Sequence, residues 1–297
     1  MQSQSKGITS IQFSSHQMQG IWAALIGVVV LSFDALLVRL ADSPGWDVMF
    51  WRGLFIFTTM AMFSLHSGQW RGMLVQETAK AAWAAALLYG ICSGLFVLSI
   101  SLTQVANTVV ILSSSPFFAA LFSWLLIGER IRPRTIVAII VCMCGVGVVF
   151  SSSMASGGWL GDLLALILAV LMGIALTLLR KHPSIPRVPM IAVSGLWACL
   201  LATPFANPLS LSGAAYGWIA LMGLLQMPLA SVLIMVATRY LPSPEVSLFL
   251  LIETVLAPIW VWWVIGEVPP SLALVGGLIV IATIAAHSTL SLLQEKA

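Results

Sequence analysis

The chain repeats itself with a shift of 138 residues, and no other feature limits its possible folds as tightly. Gly20 falls on Gly158, Ser93 on Ser231, Trp124 on Trp262, and Gly128-Glu129 on Gly266-Glu267. The apolar stretches between these markers coincide as well. Each copy holds five such stretches, an odd number, so the second copy enters a bilayer from the opposite face. Inverted duplication of this kind is the common build of secondary transporters, whose solute site lies near midplane between the halves. Composition leaves a bilayer as the fitting solvent. The 297 residues are 60% hydrophobic and 8% charged, against roughly 25% charged in a soluble domain.

The apolar stretches lie at 20–40, 47–66, 80–103, 107–127, 134–150, 159–179, 188–206, 214–238, 244–265 and 270–291. Each is long enough to cross a ~30 Å hydrocarbon core as a helix. The expected fold is therefore an all-α integral membrane protein with ten transmembrane helices, arranged as two inverted five-helix repeats. A polar cytoplasmic tail covers 1–19, the first repeat 20–150 and the second 158–291. Links are short and rich in turn residues, as at Ser43-Pro44-Gly45, Arg132-Pro133 and Pro269-Pro270. The tail lacks the charged start, short apolar core and small-residue cleavage site of a signal peptide.

Lysine and arginine set the expected orientation. With the N-terminus in the cytoplasm, Lys6, Arg71, Lys80, Arg130, Arg132, Arg134, Arg180, Lys181, Arg187, Arg239 and Lys296 all fall inside. The outer loops receive Asp42, Asp47, Asp162 and Glu267 but no Lys or Arg. Only Arg39 and Arg52 fall near the outer ends of spans. Both termini are thus expected in the cytoplasm of a multi-pass protein. Tryptophans mark both boundaries, as anchoring belts do; Trp22, Trp124 and Trp260 are the rings with a second possible use, facing a cavity.

Two segments carry a family resemblance. Ser113-Ser114-Ser115-Pro116-Phe117-Phe118-Ala119-Ala120, followed by Gly128-Glu129-Arg130, resembles the end of the repeat in EamA-type members of the drug/metabolite transporter superfamily. Leu251-Ile252-Glu253-Thr254-Val255-Leu256-Ala257-Pro258, followed by Gly266-Glu267, resembles it again. The likeness spans both halves, essentially residues 20–290. It implies a bacterial inner-membrane permease with a central cavity shared by the repeats. It also implies export of small metabolites, one branch handling aromatic and other amino acids. The chain departs from the pattern after Glu253, where Thr254 stands and the proline comes only at Pro258.

Few ionisable groups lie deep in these spans, where each is costly. Asp34 is ~21 Å along the first span and Glu253 ~13 Å along the ninth, at 1.5 Å per residue. They bracket midplane from opposite repeats. A carboxyl group at that depth can take up and release a proton as access alternates, or pair with a substrate ammonium. The structural alternative is Asp34 neutralised by Arg52 or Arg39, and Glu253 bonded to neighbouring hydroxyls. Arg52 suits a substrate carboxylate or a gate with Asp34, or else it snorkels, as Arg39 is expected to do. Glu129, Glu267 and Glu245 fall at helix ends, where they are expected to tie those ends to basic or backbone groups. Tyr89, Ser93, Ser99, Thr103, Asn107, Ser113 to Ser115, Gln226 and Ser231 form a possible polar lining. Of these, Tyr89, Ser93, Asn107, Ser114 and Gln226 join Asp34, Glu253 and Arg52 as candidates for contact with substrate or coupling ion. Hydrogen bonding between helices is the competing use of each. Pro116, Pro228 and Pro258 interrupt helical bonding within the membrane.

Other classes fit less well. His16, His66, His182 and His287 have no metal-ligand spacing, and no nucleophile elbow occurs. The four cysteines sit in apolar spans without zinc or redox spacing. A nucleotide-binding Gly-x-x-x-x-Gly-Lys loop is missing, and the net charge of +3 comes with no basic run for nucleic acid. The expectation is an exporter of small organic metabolites, amino acids first, working by alternating access without a cofactor. Its partners would be the solute, the bilayer and protons as coupling ion, in a monomer or homodimer. A non-transporting scaffold subunit, an intramembrane enzyme and an exporter of drugs or other metabolites are the alternatives.

Overall fold

The computed structural model describes residues 15–74, 76–128, 133–241 and 243–295. Glu129, Arg130, Arg132, Lys6, Lys296 and the first 14 residues of the expected tail lie outside them. The described chain is helical, without strands. Its spans are α1 (Met18–Leu40), α2 (Gly45–His66), α3 (Thr78–Leu102), α4 (Val105–Ile127), α5 (Pro133–Ser151), α6 (Trp159–Lys181), α7 (Arg187–Ala202), α8 (Gly213–Tyr240), α9 (Leu248–Ile265) and α10 (Ser271–Leu290). Nine of these are long and apolar enough to cross a membrane, and α7 is a shorter apolar helix. Several boundaries differ from expectation, helix running on to Ser156 rather than 150 and to Glu295 rather than 291 among them. Helix begins at Ser15, inside the stretch read as tail, and α7 stops at Ala202 rather than 206.

Packing follows the sequence repeat. The strongest pairings set α2 against α7 and α5 against α10, each span against its own counterpart; α1 packs on α8 as α3 packs on α6. The register agrees to the residue. Gly20 lies against Tyr240 and Leu241, while Gly158 lies against Leu102 and Thr103, the residues 138 positions earlier. At the α2–α7 crossing a Cβ on Gly53 would come 2.6 Å from the Gly195 carbonyl, and one on Gly195 2.7 Å from that of Gly53. Each residue touching its counterpart in return is the mark of a two-fold arrangement, here inside one chain. Gly128 and Gly266, at φ 81° and 79°, end α4 and α9 with the same left-handed cap.

The repeats differ where helices break. In α1 the helix runs Ser15–Ser32 and resumes at Asp34–Leu40. No Pro or Gly lies at this break. The carbonyls of Val30 and Leu31 instead accept the side-chain amide of Gln226, at 3.0 and 3.3 Å, and a side chain inserted into the helical ladder is a recognised cause of kinking. In α4 the break falls between Leu112 and Ser115, just before Pro116, whose missing N–H cannot continue the ladder. Ser113 and Ser114 donate to the carbonyls of Val110 and Ile111 there, at 2.7 and 2.6 Å. Pro258 sits inside an uninterrupted helix. In α8 the six residues Leu221–Gln226 form a π-helical turn, a local widening frequent at functional sites.

Candidate functional site

The short C-terminal piece of α1, Asp34–Leu40, brings Asp34 to the side of α2, where Arg52 enters from the opposite direction. Arg52 Nη2 donates to Asp34 Oδ2 at 2.7 Å, with side chains only 2% and 6% exposed. Its Nη1 donates to Ser93 Oγ on α3 at 2.8 Å, and the guanidinium stands 5.9 Å from the Phe96 ring centre. Glu253, half-buried on α9, lies in electrostatic reach of Asp34. No hydrogen bond joins it to another described residue. Asp34 and Arg52 thus meet in the protein interior, and a second carboxylate, Glu253, stands in electrostatic reach of the pair. Full ionisation would leave this group one negative charge in excess, and an unpaired buried charge is expensive. Asp34 Oδ1, Arg52 Nε and Gln226 Oε1 are buried without hydrogen-bond partners. Buried polar atoms are normally satisfied, so the centre retains unused capacity for a polar ligand.

A cavity of about 180 Å³ opens toward one end of the bundle, and none of Asp34, Arg52, Ser93 and Glu253 lines it. Leu31 and Tyr89 line it near mid-bundle, each about one helical turn short of Asp34 and Ser93. Ser231 and Ile234 lie further along, and Thr238 and Arg187 mark the far part, at the end that carries Lys181 and Arg71. That end is basic, and the end with Asp42 and Glu267 is acidic.

Polar contacts join the helix ends at the acidic end. Arg39 Nε lies 3.0 Å from Glu267 Oε2, and Arg39 Nη2 donates to the Thr103 carbonyl at 2.8 Å. Glu267 Oε1 accepts the Val105 amide at 2.8 Å. Asp162 is fully buried and accepts Thr103 Oγ1 at 2.6 Å, while Asn107 Nδ2 donates to Ser153 Oγ at 2.6 Å and approaches Asp162 at 3.3 Å. Asp47 accepts the Asn207 amide, and Trp51 and Tyr216 both donate to the Pro208 carbonyl.

The candidates from sequence therefore separate. Asp34, Arg52 and Ser93 form one contact group, with Glu253 beside it and Gln226 at the adjoining helix break. Tyr89 lines the cavity. Asn107 belongs to the Asp162 cluster at the acidic end, and Ser114 spends its hydroxyl on its own helix. Arg39 does not snorkel free but pairs with Glu267, which ties helix ends as expected. Asp162, assigned to an outer loop, is buried in the first turn of α6. Its signal was the polar pair Thr103 and Asn107 at the facing ends of α3 and α4. Trp22 and Trp124 are about half exposed, as boundary anchors are. Trp260 instead turns inward, stacking on Phe33 at 4.9 Å and donating to Ser32 Oγ at 2.9 Å.

Ten spans in two inverted halves, with charges buried where the halves meet, define a polytopic membrane protein of the inverted-repeat class. The EamA-like transporter family matches residues 13–151 and 159–289, and the chain belongs to that family, within the drug/metabolite transporter superfamily. A search of curated proteins returns no match. One protein of known crystal structure superposes with a TM-score of 0.64 at 16% identity, over 92% of this chain and 98% of its own. That likeness establishes the fold alone.

Proposed function

We propose that this transporter exports small organic metabolites, amino acids first among them, across a bacterial inner membrane by alternating access. The reading is supported by the buried Asp34–Arg52 pair, with Glu253 in electrostatic reach, about one helical turn beyond the Leu31 and Tyr89 wall of a cavity lined by both repeats. A zwitterionic solute suits this centre. Its carboxylate can engage Arg52, and its ammonium can supply the positive charge that two carboxylates and one guanidinium lack. A proton on Glu253 would serve the same balance when the solute has left, which makes Glu253 the coupling candidate and Asp34 the solute contact. The mostly apolar cavity wall favours bulky or aromatic side chains. Placing the basic end in the cytoplasm follows the positive-inside rule and gives a protein open inward and closed outward, with both termini cytoplasmic.

Efflux of a labelled amino-acid panel from proteoliposomes, with and without an imposed pH gradient, tests the proposal. Selective efflux that responds to the gradient, and loses that response in Glu253→Gln, is the expected result. Selective efflux indifferent to pH would remove Glu253 from coupling. If no amino acid moves while other metabolites do, the choice of substrate is wrong.

A further inference from the structure

We propose that the outer piece of α1, Asp34–Leu40, is a lever linking the buried charge centre to a gate at the acidic end. This seven-residue helix carries a working charge near each end. At its start Asp34 holds Arg52. At its finish Arg39 holds Glu267 and the Thr103 carbonyl. Glu267 belongs to the second repeat and also receives the Val105 amide of the first, so this rim contact joins the two halves. Among the described residues, Arg39 and Arg52 are the only cations near this end.

The surroundings of the piece supply an anchor and a pivot. Below the break, α1 is fastened to α8 through the bonds of Gln226 to Val30 and Leu31. At the break, Phe33 stacks on Trp260, whose indole N–H holds Ser32. Trp260 is on α9, which also bears Glu253 and ends just before Glu267. The two charge pairs differ in wetness. Arg39 and Glu267 are 27% and 19% exposed, so water can take over their bonds and separation costs little. Asp34 and Arg52 are dry, and separating them is costly unless a ligand replaces each partner. A solute that takes Arg52 from Asp34 therefore releases the near end of the lever. The piece turns at Phe33, Arg39 leaves Glu267, and the acidic end opens. This coupling rests on reading the Asp34–Arg52 centre as the solute site.

The test is a spin-label distance between Asp42→Cys and Val268→Cys, two exposed acidic-end positions, in full-length Cys144→Ser protein in nanodiscs. The parent should give one short distance. Glu267→Gln should add a longer population, shifting the open-to-closed ratio by roughly two- to fivefold, as loss of a partly exposed pair implies. Asp34→Asn should add the same population although it does not touch the rim. Asp34→Asn with Arg52→Gln, which strands no charge, repeats that arm should the single variant fold poorly. Exchanging the charges, Arg39→Glu with Glu267→Arg, should restore the short distance. An unchanged distribution in Glu267→Gln would remove the gate. A change there, but in neither site variant, would leave a latch and overturn the lever. Solute flux plays no part in the readout, so failure of the amino-acid assay and failure of the lever are told apart.

Discussion

The two ends of the bundle are built from equivalent halves yet are held differently. At the acidic end Arg39, Glu267, Thr103, Asp162 and Asn107 knit the repeats together with charged and neutral hydrogen bonds. At the basic end the corresponding space is a cavity, walled mainly by aliphatic side chains from α1, α2, α7 and α8. Because the spans and their crossings obey a common two-fold relation, the proposed alternating access reads the difference as one state of two, with one end held by polar contacts and the other lined by a cavity. A chain of two inverted repeats can exchange the roles of its ends by moving one set of helices against the other. Polar contacts suit the closing role. In water each can be given up for a bond to solvent, so closure can be tight without being permanent.

The largest effect should come from breaking the layer that divides the ends. Arg52→Ala leaves Asp34 buried without its cation and should cost about 3–5 kcal/mol of stability, read as a lower unfolding temperature in nanodiscs together with loss of flux. Asp34→Leu with Arg52→Met should recover much of that stability, since apolar replacement of a buried pair is often neutral, but should not recover flux. Normal flux in that double variant would mean that the buried pair has no part in transport. Next is a control that affects both ends alike. Gly53→Val on the α2–α7 crossing has no room beside Gly195 and should cost about 1–3 kcal/mol by overpacking, with no preference for either end in thiol-accessibility assays. Asp162→Leu should act on the acidic end alone, leaving Thr103 and Asn107 donors unsatisfied at about 1–3 kcal/mol. A fully stable Asp162→Leu protein would mean that this cluster does not hold the closed end. Tyr89→Phe is the mildest. It removes one hydroxyl from the cavity wall, should leave the unfolding temperature in place, and should raise KM up to about tenfold if that hydroxyl bonds the solute.

Much of this architecture was readable in the chain before folding. Ten spans, their inversion and the two charge-poor repeats follow from apolar length, offset and the placement of Lys and Arg, all local or periodic properties. The α4 break was legible too, because Pro116 announces it. The α1 break was not. Leu31-Ser32-Phe33-Asp34 contains no helix breaker, and the interruption depends on Gln226, almost 200 residues away in sequence, reaching the Val30 and Leu31 carbonyls. The pairing of Asp34 was visible as a choice between Arg39 and Arg52. The fold decides it by placing α2 beside the first half-turn of the outer piece, leaving Arg39 to Glu267. Asp162 shows the limit most clearly. Its position near a span end suggests a loop, and only the convergence of Thr103, Asn107 and Ser153 makes burial of that carboxylate tolerable.

Alternating access requires that one site face one end at a time, and thiol labelling checks this. Ser231→Cys, placed in the cavity wall of a Cys144→Ser protein, is exposed to a membrane-impermeant maleimide in intact cells and in inverted vesicles. Labelling is expected from the basic end only, slowed by transported solute, with new labelling from the acidic end when Glu267→Gln is added. Equal labelling from both sides in the parent protein would describe an open pore and contradict alternating access.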